Sequence, residues 1–110
     1  RHYRRQRQMC IRDRDDILAV EGVDALFIGP SDLSANYGHI GNPGAPEVVE
    51  AVQSSLDKIA ASDKASGIMA LDPAAAKSYL DRGVDFVAVS IDARTLALSL
   101  RAIAADMRNR

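Results

Sequence analysis

The chain has 110 residues, of which 47% are hydrophobic and 26% charged, and its formal net charge is −1. These values are ordinary for a globular domain and exclude a disordered or fibrous chain. Only 5% of the residues are aromatic, which argues against a base-stacking surface, and no apolar run approaches the ~18 residues that span a bilayer. The composition therefore predicts one domain that binds neither nucleic acid nor membrane.

The first fourteen residues differ from the rest in charge. They hold six of the 14 Lys and Arg but one of the 15 Asp and Glu, whereas residues 15–110 carry a net charge of −6. A basic arm for an anionic partner is one interpretation. However, the run Gln-Met-Cys-Ile-Arg-Asp-Arg at residues 8–14 is similar to translated sequencing-adapter DNA. We therefore predict a non-native arm at 1–14 and a native domain at 15–110.

Helices and strands alternate after the arm. Residues 15–20 are expected to end a helix that Gly22 terminates. Apolar runs without polar alternation predict buried strands near 24–28, 65–71 and 85–90. Segments with a helical apolar period or a capping start predict helices near 46–61, 73–82 and 93–107. This order predicts an α/β fold with a parallel sheet and right-handed crossovers.

Apolar stripes predict which side of two helices is buried. The first stripe comprises Val48, Val52, Leu56 and Ile59, and the second comprises Leu96, Leu100, Ile103 and Met107. Asp72 and Asp92 each precede a helix and are expected to cap it. Met69 and Met107 are interpreted as core filling.

The segment Gly29-Pro30-Ser31-Asp32 follows the first strand directly. Gly29 allows a sharp turn and a close approach, and Pro30 ends the strand pairing. Asp32 therefore lies just past the carboxyl end of a strand, where α/β folds bind their ligands. It is either a loop aspartate that caps a short helix or a ligand for a hard divalent ion such as Mg²⁺ or Mn²⁺.

Residues 22–34, Gly-Val-Asp-Ala-Leu-Phe-Ile-Gly-Pro-Ser-Asp-Leu-Ser, and the following Gly-Asn-Pro-Gly at 41–44 closely resemble the HpcH/HpaI aldolase family. The resemblance runs from about residue 15 to about residue 107. It implies the C-terminal fragment of a (β/α)8 TIM barrel from a class II pyruvate aldolase. Such enzymes cleave a 4-hydroxy-2-oxo acid to pyruvate and an aldehyde with a divalent metal: Mg²⁺, Mn²⁺ or Co²⁺. The resemblance makes Asp32 a metal ligand and gives pyruvate contacts to Ser31 and Asp32.

The chain departs from the family in its other site residues. The second metal ligand of the family, a Glu, would fall near Gln6, where no acid occurs. The catalytic His and the Arg of the family belong to the first half of the barrel and have no match here. His39 is either a replacement base or an exposed or subunit-contacting residue. We therefore expect an active parent enzyme and an inactive 110-residue chain.

The remaining expectations concern assembly, location and alternatives, and the first of them comes from the resemblance. It implies a homo-oligomer, a hexamer in which the last helix packs on a neighbour. Because residues 15–110 contain no cysteine, a reducing compartment such as the cytoplasm is expected. A lyase resembling citrate lyase or malyl-CoA lyase and a non-catalytic α/β binding module are the alternatives. Ser90 and Asp92, after the third strand, could border the distal part of a substrate, with helix capping as the other role for Asp92.

Overall fold

A computed structural model describes residues 14–110, in which five helices and three strands follow one another. They are α1 (Arg14–Leu18), β1 (Ala25–Ile28), α2 (Pro30–Asn36), α3 (Pro46–Ala60), β2 (Ala65–Ala70), α4 (Pro73–Asp81), β3 (Phe86–Val89) and α5 (Asp92–Arg108). The predicted strands and helices are confirmed to within about two residues at each end. The predicted burial holds for β2 but is wrong for the outer strands: Ile28 is the single buried residue of β1, and β3 has none. The arm predicted at 1–14 lies outside the described residues except for Arg14, so its boundary stays a prediction. No described helix is long and apolar enough to cross a membrane.

The three strands form one sheet in the order β1-β2-β3, and both pairs are parallel. The register puts Ile28, Ile68 and Val87 at one level. Since all strands point the same way, their carboxyl ends share one side of the sheet, which we call the carboxyl edge: the residues that follow Ile28, Ala70 and Val89. This confirms the predicted α/β class.

Helix α3 covers one face of the sheet with the predicted stripe. Its four stripe residues are all buried, and Val48 is fully inaccessible to solvent. Together with Ile28 and Ile68 from the strands and Val84 before β3, they make the core. Burying an aliphatic side chain of this size contributes about 1.5–3 kcal/mol, so this layer holds the sheet in place.

The opposite face of the sheet carries an aromatic pair over a glycine. The rings of Phe27 and Phe86 have centroids 5.8 Å apart. Between them lies Gly67 on the middle strand, where a Cβ would be 2.7 Å from Cδ2 of Phe27 and 3.3 Å from Cδ1 of Phe86. Both rings remain more than half exposed. This face is therefore open in the described part of the chain.

Helix α5 departs from the expectation of a buried stripe. Leu96, Leu100, Ile103 and Met107 are 56–62% exposed, and no residue of the helix is buried. The prediction that Met107 fills the core is therefore wrong, whereas Met69 is partly buried. A helical period shows which side is apolar but not what packs on it, and no other described element covers this side.

Of the two predicted aspartate caps, the one on α4 forms and the one on α5 does not. Asp72 caps α4 as predicted: its Oδ1 accepts a hydrogen bond from the amide nitrogen of Ala75 at 2.9 Å. Asp92 does not cap α5: Ile91 occupies the N-cap position, and the Asp92 carboxylate bonds the adjacent amide of Ala93. The correction follows from where the helix begins, because Asp92 is itself the first helical residue.

Candidate functional site

The turn at the carboxyl edge is built by the Gly-Pro pair. Gly29 is the N-cap of α2 and Pro30 its first residue, so the chain passes from strand to helix without a linker. The first intrahelical bond runs from the amide of Leu33 to the carbonyl of Gly29 at 3.0 Å. The amides of Ser31 and Asp32 precede that bond and, as in any first turn, have no acceptor within the helix.

The carboxylate of Asp32 folds back over Gly29. Its Oδ2 lies 2.8 Å from the point where a Cβ on Gly29 would stand. The glycine thus provides the space that the carboxylate occupies. Asp32 is nevertheless exposed, as is Ser31, so both side chains are accessible to a small ligand at the carboxyl edge.

Beside β1 lies an open cavity of about 260 Å³ between α1, α2 and α3. Its wall is largely aliphatic, with Ile17, Leu33 and Ile59 among the lining residues. Asp32 and Gly29 also line it. The carboxylate therefore stands where an apolar cavity meets the polar turn.

The described residues supply part of a metal site. Within residues 14–110 no group of three or more His, Cys, Asp or Glu side chains could hold a metal ion. Asp32 can supply one oxygen ligand of a divalent metal ion, because its carboxylate is exposed and Gly29 leaves room for it. The expected partner position near Gln6 lies outside the described residues.

His39 lies in the loop between α2 and α3. Its Nε2 is 3.3 Å from Oε2 of Glu47 in the first turn of α3, and its amide donates to the carbonyl of Ser34 at 2.7 Å. Ser34 is fully buried, and its hydroxyl bonds the carbonyl of Ser31. These contacts hold the loop against α2, behind the turn that carries Asp32.

Ser90, at the carboxyl edge, has a backbone conformation that its sequence does not predict. Its φ of +65° is the single left-handed value at a non-glycine position among residues 14–110. Its amide donates to the carbonyl of Ala70 at 2.8 Å, so it extends the pairing of β2 and β3 by one residue. Serine is uncommon in this conformation, which is why sequence reasoning gave no indication of it.

A parallel α/β sheet with a carboxylate at its carboxyl edge is the arrangement of barrel and open-sheet enzymes. Residues 7–98 match the family model described as HpcH/HpaI aldolase/citrate lyase. The chain belongs to this family. The match includes residues 7–14, which the sequence assigned to the arm.

Similar proteins carry related names. The chain is 51% identical over 90 residues to a hydroxypyruvate/pyruvate aldolase of Pseudomonas aeruginosa, covering 82% of this chain and 34% of that protein. It is 44% identical to a 4-hydroxy-2-oxo-heptane-1,7-dioate aldolase of Escherichia coli, covering 89% and 41%. A crystal structure of a family member from Burkholderia cenocepacia J2315 superposes with a TM-score of 0.79 at 36% identity, covering 89% and 38%. The chain thus spans between a third and about two-fifths of the length of these relatives.

Proposed function

We propose that this chain is the C-terminal part of a class II pyruvate aldolase that cleaves a 4-hydroxy-2-oxo acid to pyruvate and an aldehyde. The observation that carries the proposal is the Asp32 carboxylate, exposed at the carboxyl edge over Gly29. Support comes from the family to which the chain belongs and from relatives named as aldolases. The family description also includes citrate lyase, but the relatives from Pseudomonas aeruginosa and Escherichia coli both carry aldolase names.

In this proposal Asp32 is one ligand of a divalent cation, Mg²⁺, Mn²⁺ or Co²⁺, and a contact of pyruvate. The cation supplies a Lewis acid that stabilises the negative charge formed on the oxo acid when the carbon–carbon bond breaks. Ser31 and Asp32 present amides that have no acceptor within α2, and these amides orient the pyruvate carboxylate by donating to it. The remaining ligand, the base and the cationic residue come from elsewhere in the complete protein.

We also propose a cytoplasmic homo-oligomer, a hexamer in which α5 packs on a neighbouring copy. The exposed stripe of α5 is consistent with such packing, since an apolar helix side of this length is unfavourable in water. Sedimentation velocity of the complete protein tests the assembly, and a monomer at micromolar concentration would contradict it.

The aldolase proposal is tested by replacing Asp32 in the complete protein. Asp32→Ala removes a metal ligand and should lower metal-dependent release of pyruvate about a hundred- to thousandfold, the scale of losing one central electrostatic stabiliser. Coupled detection of pyruvate with added Mg²⁺ or Mn²⁺ measures this. The matched control is Asp24→Ala, which removes an exposed carboxylate at the opposite, amino end of the same strand. Activity that survives Asp32→Ala, or is lost equally in the control, contradicts the assignment.

A further inference from the structure

Ser90 lies on the same side of the sheet as Asp32 but two strands away. Ile28 and Val87 are at one level of the register, and Asp32 and Ser90 follow them by four and three residues. The middle strand separates their strands, which at ~4.8 Å per strand run about 10 Å apart where the register aligns them. A substrate whose pyruvate part is held at Asp32 can therefore extend towards Ser90.

The backbone of Ser90 is held in an unfavourable conformation. A φ of +65° costs free energy for serine that glycine would not lose. The bond from its amide to the carbonyl of Ala70 holds this residue in place at the end of the ladder. Strained residues fixed by their surroundings cluster at functional sites, so the strain at Ser90 indicates a functional role.

The hydrogen bonds of Ser90 determine what its hydroxyl can recognise. Oγ1 of Thr95 donates its single proton to the carbonyl of Ile91 at 3.0 Å. The hydroxyls of Ser90 and Thr95 are 3.2 Å apart, and since Thr95 has already used its proton, Ser90 is the donor between them. The Ser90 oxygen is left with lone pairs and no free proton. It can therefore accept a hydrogen bond from a ligand but has none to donate.

We propose that Ser90 is a specificity-determining residue that accepts a hydrogen bond from a hydroxyl group on the acceptor aldehyde. This inference rests on the proposed aldolase function and names the residue that would recognise a hydroxyl on the acceptor. An alkyl aldehyde makes no such bond. A carboxylate-bearing aldehyde has no proton at neutral pH and would face the lone pairs of Ser90 with its own.

The test uses Ser90→Gly and Ser90→Ala in the complete protein. Glycine suits the positive φ, so that variant removes the hydroxyl while relieving the strain, and alanine removes the hydroxyl alone. Aldol addition to pyruvate is measured with two matched pairs in which a hydroxyl replaces a methyl: glycolaldehyde with propanal, and 3-hydroxypropanal with butanal. In at least one pair the ratio of kcat/KM values, hydroxylated over alkyl, should fall about three- to tenfold, as expected for one neutral hydrogen bond. The KM for pyruvate should stay unchanged.

Thr95→Val provides a second prediction from the same bond. It removes the acceptor of the Ser90 proton and frees that proton, so relative use of glyoxylate, a carboxylate-bearing aldehyde, should rise. Ser54→Ala, which removes an exposed hydroxyl on α3, is the control and should change no ratio. Unchanged ratios for both pairs in both Ser90 variants overturn the inference.

Failure of this inference is distinguishable from failure of the aldolase proposal. Exchange of the methyl protons of pyruvate into D₂O in the presence of Mg²⁺ or Mn²⁺ needs no aldehyde, so it reports on the metal and pyruvate site and not on Ser90. If the parent shows no exchange, the aldolase proposal fails, and the role of Ser90 fails with it. If exchange is normal and the Ser90 variants retain the parent's ratios, only the role of Ser90 fails.

Discussion

The steric constraint on Gly29 comes from a neighbouring side chain and not from its backbone angles. Its φ of −104° and ψ of 96° are open to any residue. What a larger residue would meet is Oδ2 of Asp32, 2.8 Å from the place of a Cβ. Because that atom is the end of a flexible side chain, a Cβ would push the carboxylate aside and leave the helix unchanged.

Gly29→Ala should therefore weaken metal binding without unfolding the protein. We expect a tenfold or larger loss of Mn²⁺ affinity in the complete protein, the size seen when the groups that orient a ligand are changed. Isothermal titration measures the affinity, and circular dichroism checks the fold. Gly44→Ala is the control, since a Cβ there meets Oδ1 of Asn42 at an ordinary 3.6 Å. Parent-like affinity in Gly29→Ala would contradict the orienting role.

At the scale of single residues, the sequence predicted positions better than conformations. The apolar run, the Gly-Pro stop and the later acid placed Asp32 at the carboxyl edge, as the structure has it. The sequence indicated that Gly29 leaves room for a ligand, but the room next to it holds the side chain of Asp32. The left-handed backbone of Ser90 could not be read, because propensity associates that conformation with glycine and a serine gives no signal.

A carboxylate joins two strands at the end of the sheet opposite the site. Asp85, just before β3, accepts hydrogen bonds through Oδ2 from the amide of Ser66 at 2.8 Å and from its hydroxyl at 3.0 Å. The amide of Asp85 in turn donates a hydrogen bond to the Ser66 hydroxyl oxygen at 3.3 Å. The backbone bond and then the hydroxyl bond from Ser66 hold the pKa of Asp85 below its ordinary value of 3.8. The pair fixes where β3 meets β2.

This contact makes a prediction for acid stability. Because the pKa of Asp85 is lowered on folding, its contribution is fully present above 3.8, the unfolded value, and is lost as the pH falls through the folded value below it. Asp85→Asn should lower the melting temperature of the complete protein at pH 7, and the difference from the parent should shrink below about pH 4. Thermal unfolding followed by circular dichroism across pH 3–7 measures it.

Asp63→Asn is the matched control for that experiment. Asp63 is an exposed carboxylate two residues before β2, so its loss removes the same charge without the strand contact. A difference between Asp85→Asn and the parent that is independent of pH, or that the control reproduces, would contradict the role of the contact.

Among whole elements, α3 and α5 show how far periodicity reaches. Both carry an apolar stripe in the sequence, yet the stripe of α3 is buried and that of α5 is exposed. The difference lies in their surroundings: α3 packs on the strands, whereas no other described element covers the stripe of α5. Amphipathic spacing can be read from sequence, but the surface that meets it requires the rest of the assembly.

The whole molecule leaves much apolar surface in contact with water. Strands β1 and β3 each pair on one side within the described sheet, and Phe27 and Phe86 are 51% and 61% exposed. The stripe of α5 adds a second apolar surface. Open strand edges and apolar patches of this kind promote association between chains.

The 110-residue chain on its own should therefore self-associate and lack catalysis. We expect strong fluorescence of a hydrophobic dye, broad sedimentation, and no release of pyruvate with added Mg²⁺ or Mn²⁺, since the described residues offer a single acidic ligand at the site. Replacing Leu100 and Ile103 by Gln should reduce dye binding. Replacing Arg94 and Arg101 on the same helix by Gln is the control and should not reduce it. A monodisperse monomer with metal-dependent activity would contradict the proposal that the site is completed elsewhere.

The aromatic pair over Gly67 constrains how this sheet can change during evolution. A side chain gained at position 67 would collide with Phe27 at 2.7 Å, so the mutation is harmful while both rings are present. If Phe27 is first replaced by a smaller residue, the same mutation meets only Cδ1 of Phe86 at 3.3 Å and becomes easier to accept. Whether a side chain at position 67 is tolerated thus depends on the order in which the substitutions occur. Positions 27, 67 and 86 should covary as one inherited unit, although they lie on three different strands.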